Sequence, residues 1–208
     1  TPEWAGLLGK VRATRASLGV QTLEPHIMQA IGRVQPHAMI ADAVSMLRGE
    51  GVTSLNFDLM YGLPGQSMDD LMRTLDAALE MSPDRIALVG YAHVPTLIPR
   101  QRQIDGSALP GVEARFEQAA RGYERLLAAG LQPVGFDHFA KPTDTLAIAQ
   151  REGRLRRNFQ GFTDDQSDTL LGVGATSISS FPDLIVQNEK NLGRYRMRVL
   201  GGQPAAGL

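Results

Sequence analysis

The chain has 208 residues, with 43% hydrophobic and 21% charged positions, enough for a well-formed core. Its 21 basic and 22 acidic residues leave a net charge of −1, so no global field points to nucleic acid or to an anionic membrane. It contains no cysteine, which excludes a disulfide framework, a thiolate-ligated metal or cluster, and a cysteine nucleophile within these residues.

Residues 2–13 read as a helix with Leu7, Leu8 and Val11 on one face, entered through Thr1 and Pro2. That start looks like the middle of a domain, so the chain is expected to be a piece of a longer protein. A short strand from Ala16 to Gln21 follows, then helices at 25–33 and 36–50. The second of these is striped by Ile40, Val44 and Leu47 and closed by Gly51. The run Leu55 to Tyr61 reads as a buried strand with one acid, Asp58, in its middle. It breaks into Gly62-Leu63-Pro64-Gly65, and Ser67-Met68-Asp69-Asp70 then has the pattern of a capping box. A glycine-rich turn at a helix start brings backbone N–H groups near a ligand. Equally, such a turn can hold glycine and proline for geometry alone.

The helix 68–81 is expected to bury Leu71, Leu75 and Leu79, with Met72 beside them. A strand at 86–92 ends at His93 and Pro95. A helix at 112–129 is expected to bury Phe116, Ala119, Tyr123 and Leu126. Residues 133–137 read as a further strand running into His138, and a short helix covers about 144–152. From Arg154 the periodicity weakens: 154–162 has strand character, 170–181 is small and apolar, and 187–195 reads as a last helical turn.

Strands alternating with helices define an α/β fold, a parallel sheet covered by helices, either a (β/α) barrel or an open sheet. In such folds the site forms at the C-terminal ends of the strands. Those ends hold Gln21, Asp58, Tyr61, Tyr91, His93, Asp137 and His138. An unpaired buried acid is costly, which favours a use for Asp58. The cluster Arg151, Arg154, Arg156 and Arg157 can bind carboxylates or can be a solvated face. Two readings survive on spacing alone. One is a barrel enzyme acting on an anionic or nucleotide-like ligand. The other is a metal-dependent barrel enzyme using His93, His138, Asp58 and Asp137, for which ligand spacing is weak.

The segment Tyr61-Gly62-Leu63-Pro64-Gly65-Gln66, preceded by Asp58, resembles a motif of the coproporphyrinogen-oxidase-like radical SAM proteins, and Tyr91-Ala92-His93-Val94-Pro95-Thr96 resembles their next strand. Asp137-His138-Phe139-Ala140-Lys141-Pro142, Ala149 to Gly153 and Arg157-Asn158-Phe159-Gln160-Gly161 are similar to one branch, the oxygen-independent coproporphyrinogen III oxidases. The likeness runs from about Ser17 to about Tyr195.

The resemblance implies part of a radical SAM (β/α)6 partial barrel with a following α+β segment. Residues 1–142 would supply later βα units, and 143–208 the start of a C-terminal segment covering the barrel. It implies two S-adenosylmethionine molecules and a [4Fe-4S] cluster on a Cys-x3-Cys-x2-Cys loop, whose ligands are absent from these residues. A 5′-deoxyadenosyl radical would take a hydrogen from a propionate of coproporphyrinogen III. Loss of carbon dioxide and one electron would leave a vinyl group. Two such steps give protoporphyrinogen IX in haem biosynthesis, with an unassigned electron acceptor. By motif match, Gln21, Arg33, Asp58, Ala92 and Ile178 resemble S-adenosylmethionine ligands, and Arg156 and Arg157 would meet substrate carboxylates. No catalytic acid or base and no metal ligand is assigned. The expected setting is cytoplasmic, with no nucleic acid or membrane partner and a monomeric full-length protein. Related proteins sharing Tyr-Gly-Leu-Pro-Gly-Gln act as haem-binding chaperones, which is the alternative from another class.

Overall fold

The computed structural model describes residues 1–206, in two compact units that divide after Arg151. In the first unit, β1 (Arg15–Gln21), β2 (Ser54–Tyr61) and β3 (Arg85–Gly90) are parallel neighbours. The crossovers between them carry α2 (Pro25–Ala30) and α3 (His37–Gly49), then α4 (Met68–Glu80); α1 (Pro2–Lys10) precedes β1. Leu55, Phe57 and Leu59 alternate along β2 with complete burial. Phe57 and Leu59 meet Leu71, Leu75 and Ala78 of α4, with Ile86 and Leu88 of β3, in the main core. Period-2 alternation in the strand and 3.6-residue spacing in the helix therefore select complementary faces. α4 begins where the sequence indicates: Ser67 accepts from the Asp70 backbone N–H at 3.2 Å, and the Asp70 carboxylate accepts from the Ser67 N–H at 2.8 Å.

The fourth strand departs from expectation. Instead of one strand over 133–137 beside β3, the chain forms β4 (Gln132–Val134) and β5 (His138–Ala140), and the sheet order is β1-β2-β3-β5-β4. β5 pairs antiparallel with both β3 and β4. Thus β4 keeps the direction expected of a βα unit, but β5 is inserted between it and β3. The reason is local. Gly135, with φ of +64°, turns the chain back on itself. The Gln150 amide then brackets the turn, accepting from the Gly135 N–H at 2.9 Å and donating to the Pro133 carbonyl at 2.8 Å. Gln150 belongs to α6 (Thr145–Arg151).

Two helices present the expected face only in part. In α5 (Val112–Ala128) the buried stripe is Gln118, Gly122 and Leu126, while Phe116 is 75% exposed. Glycine is needed there, since a Cβ on Gly122 would come within 2.5 Å of Leu88 Cδ2. A small residue and an amide carry the contact, and an apolar count cannot find such a stripe. In α1 the buried position is Ala5, whereas Leu7 and Val11 are exposed.

The second unit contains two antiparallel hairpins. β6 (Arg156–Asn158) pairs with β7 (Gly161–Thr163), and β8 (Ile178–Phe181) pairs with β9 (Leu184–Gln187); α7 (Leu192–Leu200) follows. Among the described residues no helix is long and apolar enough to cross a membrane.

Candidate functional site at the strand ends

β2 carries a polar row on the face opposite its core side chains: Ser54, Asn56 and Asp58 alternate with Leu55, Phe57 and Leu59. In the β1–β2 register Ser17 lies beside Asn56, and Gly19 beside Asp58. Ser17 Oγ donates to Asp58 Oδ2 at 2.9 Å. Asn56 Nδ2 donates to Asp58 Oδ1 at 2.7 Å and to Ser17 Oγ at 2.9 Å. The acid expected inside an apolar strand is thus held by two polar neighbours on its own sheet face.

Arg33 reaches the same place from the segment after α2. Its Nη2 donates to the Gly19 carbonyl at 2.7 Å, and its Nε to Gln35 Oε1 at 2.7 Å. Gln21 closes the other side. A Cβ built on Gly19 would sit 3.0 Å from Gln21 Nε2 and 3.2 Å from Arg33 Nη2. Glycine here lets an amide and a guanidinium approach the backbone opposite Asp58. The β1–β2 register slips between Gly19 and Gln21, and Gln21 has φ of +68°. A non-glycine residue in that region is strained, and such strain collects at binding sites. Gln21, Arg33 and Asp58 are therefore brought together around Gly19.

The other expected residues lie on other elements. Ala92 is exposed just beyond β3, and its carbonyl accepts from Gln101 Nε2 at 2.8 Å; Gln101 Oε1 accepts from the Val94 N–H at 2.6 Å. Ile178, Arg156 and Arg157 belong to the second unit. Ile178 opens β8 and is half-buried. Arg156 Nη1 donates to Asp168 Oδ1 at 2.8 Å and to the Gln166 carbonyl at 2.9 Å. Arg157 lies over the Phe162 ring, 5.5 Å from its centroid. Both arginines line a cavity of about 240 Å³ with Asn158, Thr163, Ser167 and Ser180.

The turn after β2 is not a ligand cradle. The Gly62 N–H donates to Gln118 Oε1 at 3.0 Å, and the Leu63 N–H to Gln66 Oε1 at 3.1 Å. The Gly65 N–H donates to the Ala108 carbonyl at 2.8 Å, and the Gln66 N–H to the Leu63 carbonyl at 3.1 Å. Its donors are spent within the protein, so the glycines serve geometry. Gly62 has φ of +75°, and a Cβ there would come 2.9 Å from Arg115 Nε.

The metal-dependent reading finds no support. Tyr91 Oη and His93 Nδ1 are 3.1 Å apart, and His138 Nδ1 is 2.6 Å from Asp137 Oδ1. Among the described residues the one group of three side chains able to share an ion is Glu24, His26 and Asp70, which includes none of His93, His138, Asp58 or Asp137. Arg73 already meets the charge of that group. It grips Glu24 through two bonds of 3.0 Å and also donates to Asp70. Burial pushes the Asp70 carboxyl up, but hydrogen bonds from Ser67 and the nearby His26 and Arg73 outweigh it and hold Asp70 below its ordinary range. Burial pushes the Tyr91 phenol up.

Residues 1–78 match the radical SAM superfamily model. The oxygen-independent coproporphyrinogen III oxidase of Paracoccus denitrificans is 44% identical over 196 residues, covering 94% of this chain and 44% of that protein. The protein of that name from Thermostichus vulcanus is 42% identical, covering 93% of this chain and 59% of its own length. Among solved structures, the coproporphyrinogen III oxidase HemN of Escherichia coli, described as a radical SAM enzyme, superposes with a TM-score of 0.90 at 38% identity. That match covers 97% of this chain and 47% of HemN. The fold is that of a radical SAM partial barrel. The relatives it matches carry the oxygen-independent coproporphyrinogen III oxidase name, and the chain spans about half of their length. Radical SAM proteins as a class use S-adenosylmethionine and a [4Fe-4S] cluster. The haem-chaperone alternative gains nothing from relatives that carry the oxidase name.

Sequence reasoning passed over Ser17 and Asn56 as site positions and Gln118 as a buried structural one. Asn56 had a legible signal: Ser54, Asn56 and Asp58 recur every second residue, the mark of a strand with one polar face. Reading 55–61 as an apolar run with a single acid hid it.

Proposed function

We propose that this chain is the S-adenosylmethionine-binding later part of an oxygen-independent coproporphyrinogen III oxidase. The observation that supports this most is the convergence of a carboxylate, a guanidinium and an amide on Gly19 at the strand ends. The donor set fits the ligand. Arg33 pairs with a carboxylate, while Asp58 and Gln21 accept from an ammonium or from ribose hydroxyls. The Ala92 backbone and Ile178 would complete the contacts. These 208 residues hold no thiolate, so the cluster ligands belong to sequence outside them. When bound, the cofactor pair supplies the hydrogen-abstracting radical that opens oxidative decarboxylation of a propionate to a vinyl group. The residues described here bind and orient.

The substrate would be coproporphyrinogen III, its two reacting propionates yielding protoporphyrinogen IX in the cytoplasm, with an electron acceptor still to be assigned. Its carboxylates give the cavity beside β6 a role. Arg156 is committed to Asp168, so the weight of substrate binding falls on Arg157, whose guanidinium lies over the Phe162 ring. The resemblance also implies a second S-adenosylmethionine, a stoichiometry that equilibrium dialysis counts.

The test uses the full-length protein, anaerobic and with its cluster reconstituted. Asp58→Ala and Arg33→Ala are expected to abolish most S-adenosylmethionine binding, and Arg157→Glu to weaken substrate binding while leaving S-adenosylmethionine affinity alone. Unchanged S-adenosylmethionine affinity in both site variants would remove this reading. Haem binding without turnover of coproporphyrinogen III would replace it with the chaperone.

A further inference from the structure

Asn56 holds an unfavourable position. An asparagine amide offers two N–H donors and one carbonyl acceptor. Both donors of Asn56 are used, toward Ser17 Oγ at 2.9 Å and Asp58 Oδ1 at 2.7 Å. Its own Oδ1 is buried and meets no partner. A buried acceptor left unmade is destabilising, and such groups are rare in folded proteins. Rotating the amide by half a turn would not relieve it. That would set an amide oxygen 2.7 Å from a carboxylate oxygen and lose the donor to Ser17.

The arrangement therefore favours Asp58 at the expense of Asn56. Asp58 Oδ1 receives Asn56, and Asp58 Oδ2 receives Ser17, so each carboxylate oxygen has one protein donor. Ser17 is itself oriented, because it accepts from Asn56 and donates onward. A carboxylate clamped at both oxygens cannot turn about its last bond, and each oxygen keeps acceptor capacity for a ligand. We propose that Asn56 and Ser17 are positioning residues that lock the Asp58 carboxylate in its ligand-binding orientation, with the orphaned Asn56 oxygen as the cost of that lock. The inference rests on the reading of Asp58 as an S-adenosylmethionine ligand.

The experiment is a double-mutant cycle on the full-length protein, read by anaerobic calorimetric titration with S-adenosylmethionine and by thermal unfolding. Asn56→Ala should weaken binding about tenfold, the scale of a hydrogen bond to a charged group. Because it also removes the orphaned oxygen, the melting temperature should change little. Ser17→Ala should weaken binding about threefold, while Ser17→Thr, which keeps the hydroxyl, restores it. The cycle decides the matter. If Asn56 acts only through Asp58, the double variant Asn56→Ala/Asp58→Ala binds no more weakly than Asp58→Ala alone. Additive losses, or a drop in stability with affinity unchanged, overturn the inference and leave Asp58 as a ligand. An unaltered affinity in Asp58→Ala overturns the site reading itself. If Asn56→Ala fails to fold, the Ser17→Ala and Ser17→Thr pair carries the test: equal affinities in the two refute the lock.

Discussion

Two neighbouring stretches of this chain carry candidate features in sequence, and the structure uses them differently. The turn Tyr61–Gln66, rich in glycine and placed before a helix, has the look of a ligand cradle. Its N–H groups are all bonded inside the protein, to Gln118, Gln66, Ala108 and Leu63. The strand before it has the look of core, yet its second face carries Asn56 and Asp58 beside Ser17, Gln21 and Arg33, with an acceptor left unmatched. The lesson concerns accounting. A folded chain satisfies its buried polar groups, so a polar cluster built for the protein's own sake closes on itself. One that leaves a buried oxygen unmatched in order to hold a carboxylate in place is built for something the chain binds.

Breaking each region should therefore give a different signature. The largest effect is expected from Asp58→Ala. It should lower S-adenosylmethionine affinity about 100-fold with a small change in melting temperature, since a charged acceptor is lost from a face where it supports no packing. Gln118→Leu should do the reverse. It leaves the Gly62 N–H and the Gln66 carbonyl unpaired in a buried site, for a loss of about 2 kcal/mol, while affinity in the folded fraction holds. Denaturant unfolding beside ligand titration separates the two outcomes. If Gln118→Leu weakened binding as strongly as Asp58→Ala without destabilising the protein, the turn would be part of the site after all.

Gly19→Ala sharpens the contrast within the site. Its Cβ would press on Gln21 Nε2 at 3.0 Å and Arg33 Nη2 at 3.2 Å, both on side chains that can yield. Stability should hold within about 0.5 kcal/mol while affinity falls about tenfold, because the groups displaced are those proposed to bind. Unchanged affinity would mean that neither side chain serves the ligand.

Most of this architecture was legible. The strands β1, β2 and β3, the helices between them and the capping box at Ser67 follow from periodicity and from short-range hydrogen-bond chemistry, which act over a few residues. The convergence of Gln21, Arg33 and Asp58 was legible only as a shared strand end and through family resemblance. The reversal at Gly135 was not, because the Gln150 amide that fixes it comes from a helix 15 residues later. Nor was the α5 stripe, where burial falls on Gln118 and Gly122 because other elements need an amide and a gap at those points. Long-range demands of this kind leave no local pattern.

The smallest expected effect comes from acid, and it probes the opposite end of the strands. Before β3, Asp84 Oδ2 accepts from Arg48 Nη2 at 2.5 Å and from the Leu55 N–H at 2.8 Å, and Oδ1 accepts from Lys141 Nζ at 3.1 Å. Unlike Asn56, this cluster closes on itself. Burial pushes the Asp84 carboxyl up, but the Leu55 N–H, Arg48 and Lys141 outweigh it, and its pKa lies below the ordinary carboxylate value. Asp70 is lowered in the same sense. A carboxyl whose folded pKa lies below its unfolded one adds stability that is fully present above the unfolded value, near pH 4, and is lost as the pH falls through the folded value. Melting temperature should thus be flat on this account from pH 5 to 7 and drop below pH 4. Asp84→Asn should flatten that drop by removing the group that takes up the proton. It should also lower stability at pH 6, since an amide offers one acceptor oxygen where the carboxylate offers two. An acid limb just as steep in Asp84→Asn would show that the closed end of the sheet does not depend on this charge. The contrast would then rest on the ligand-facing end alone.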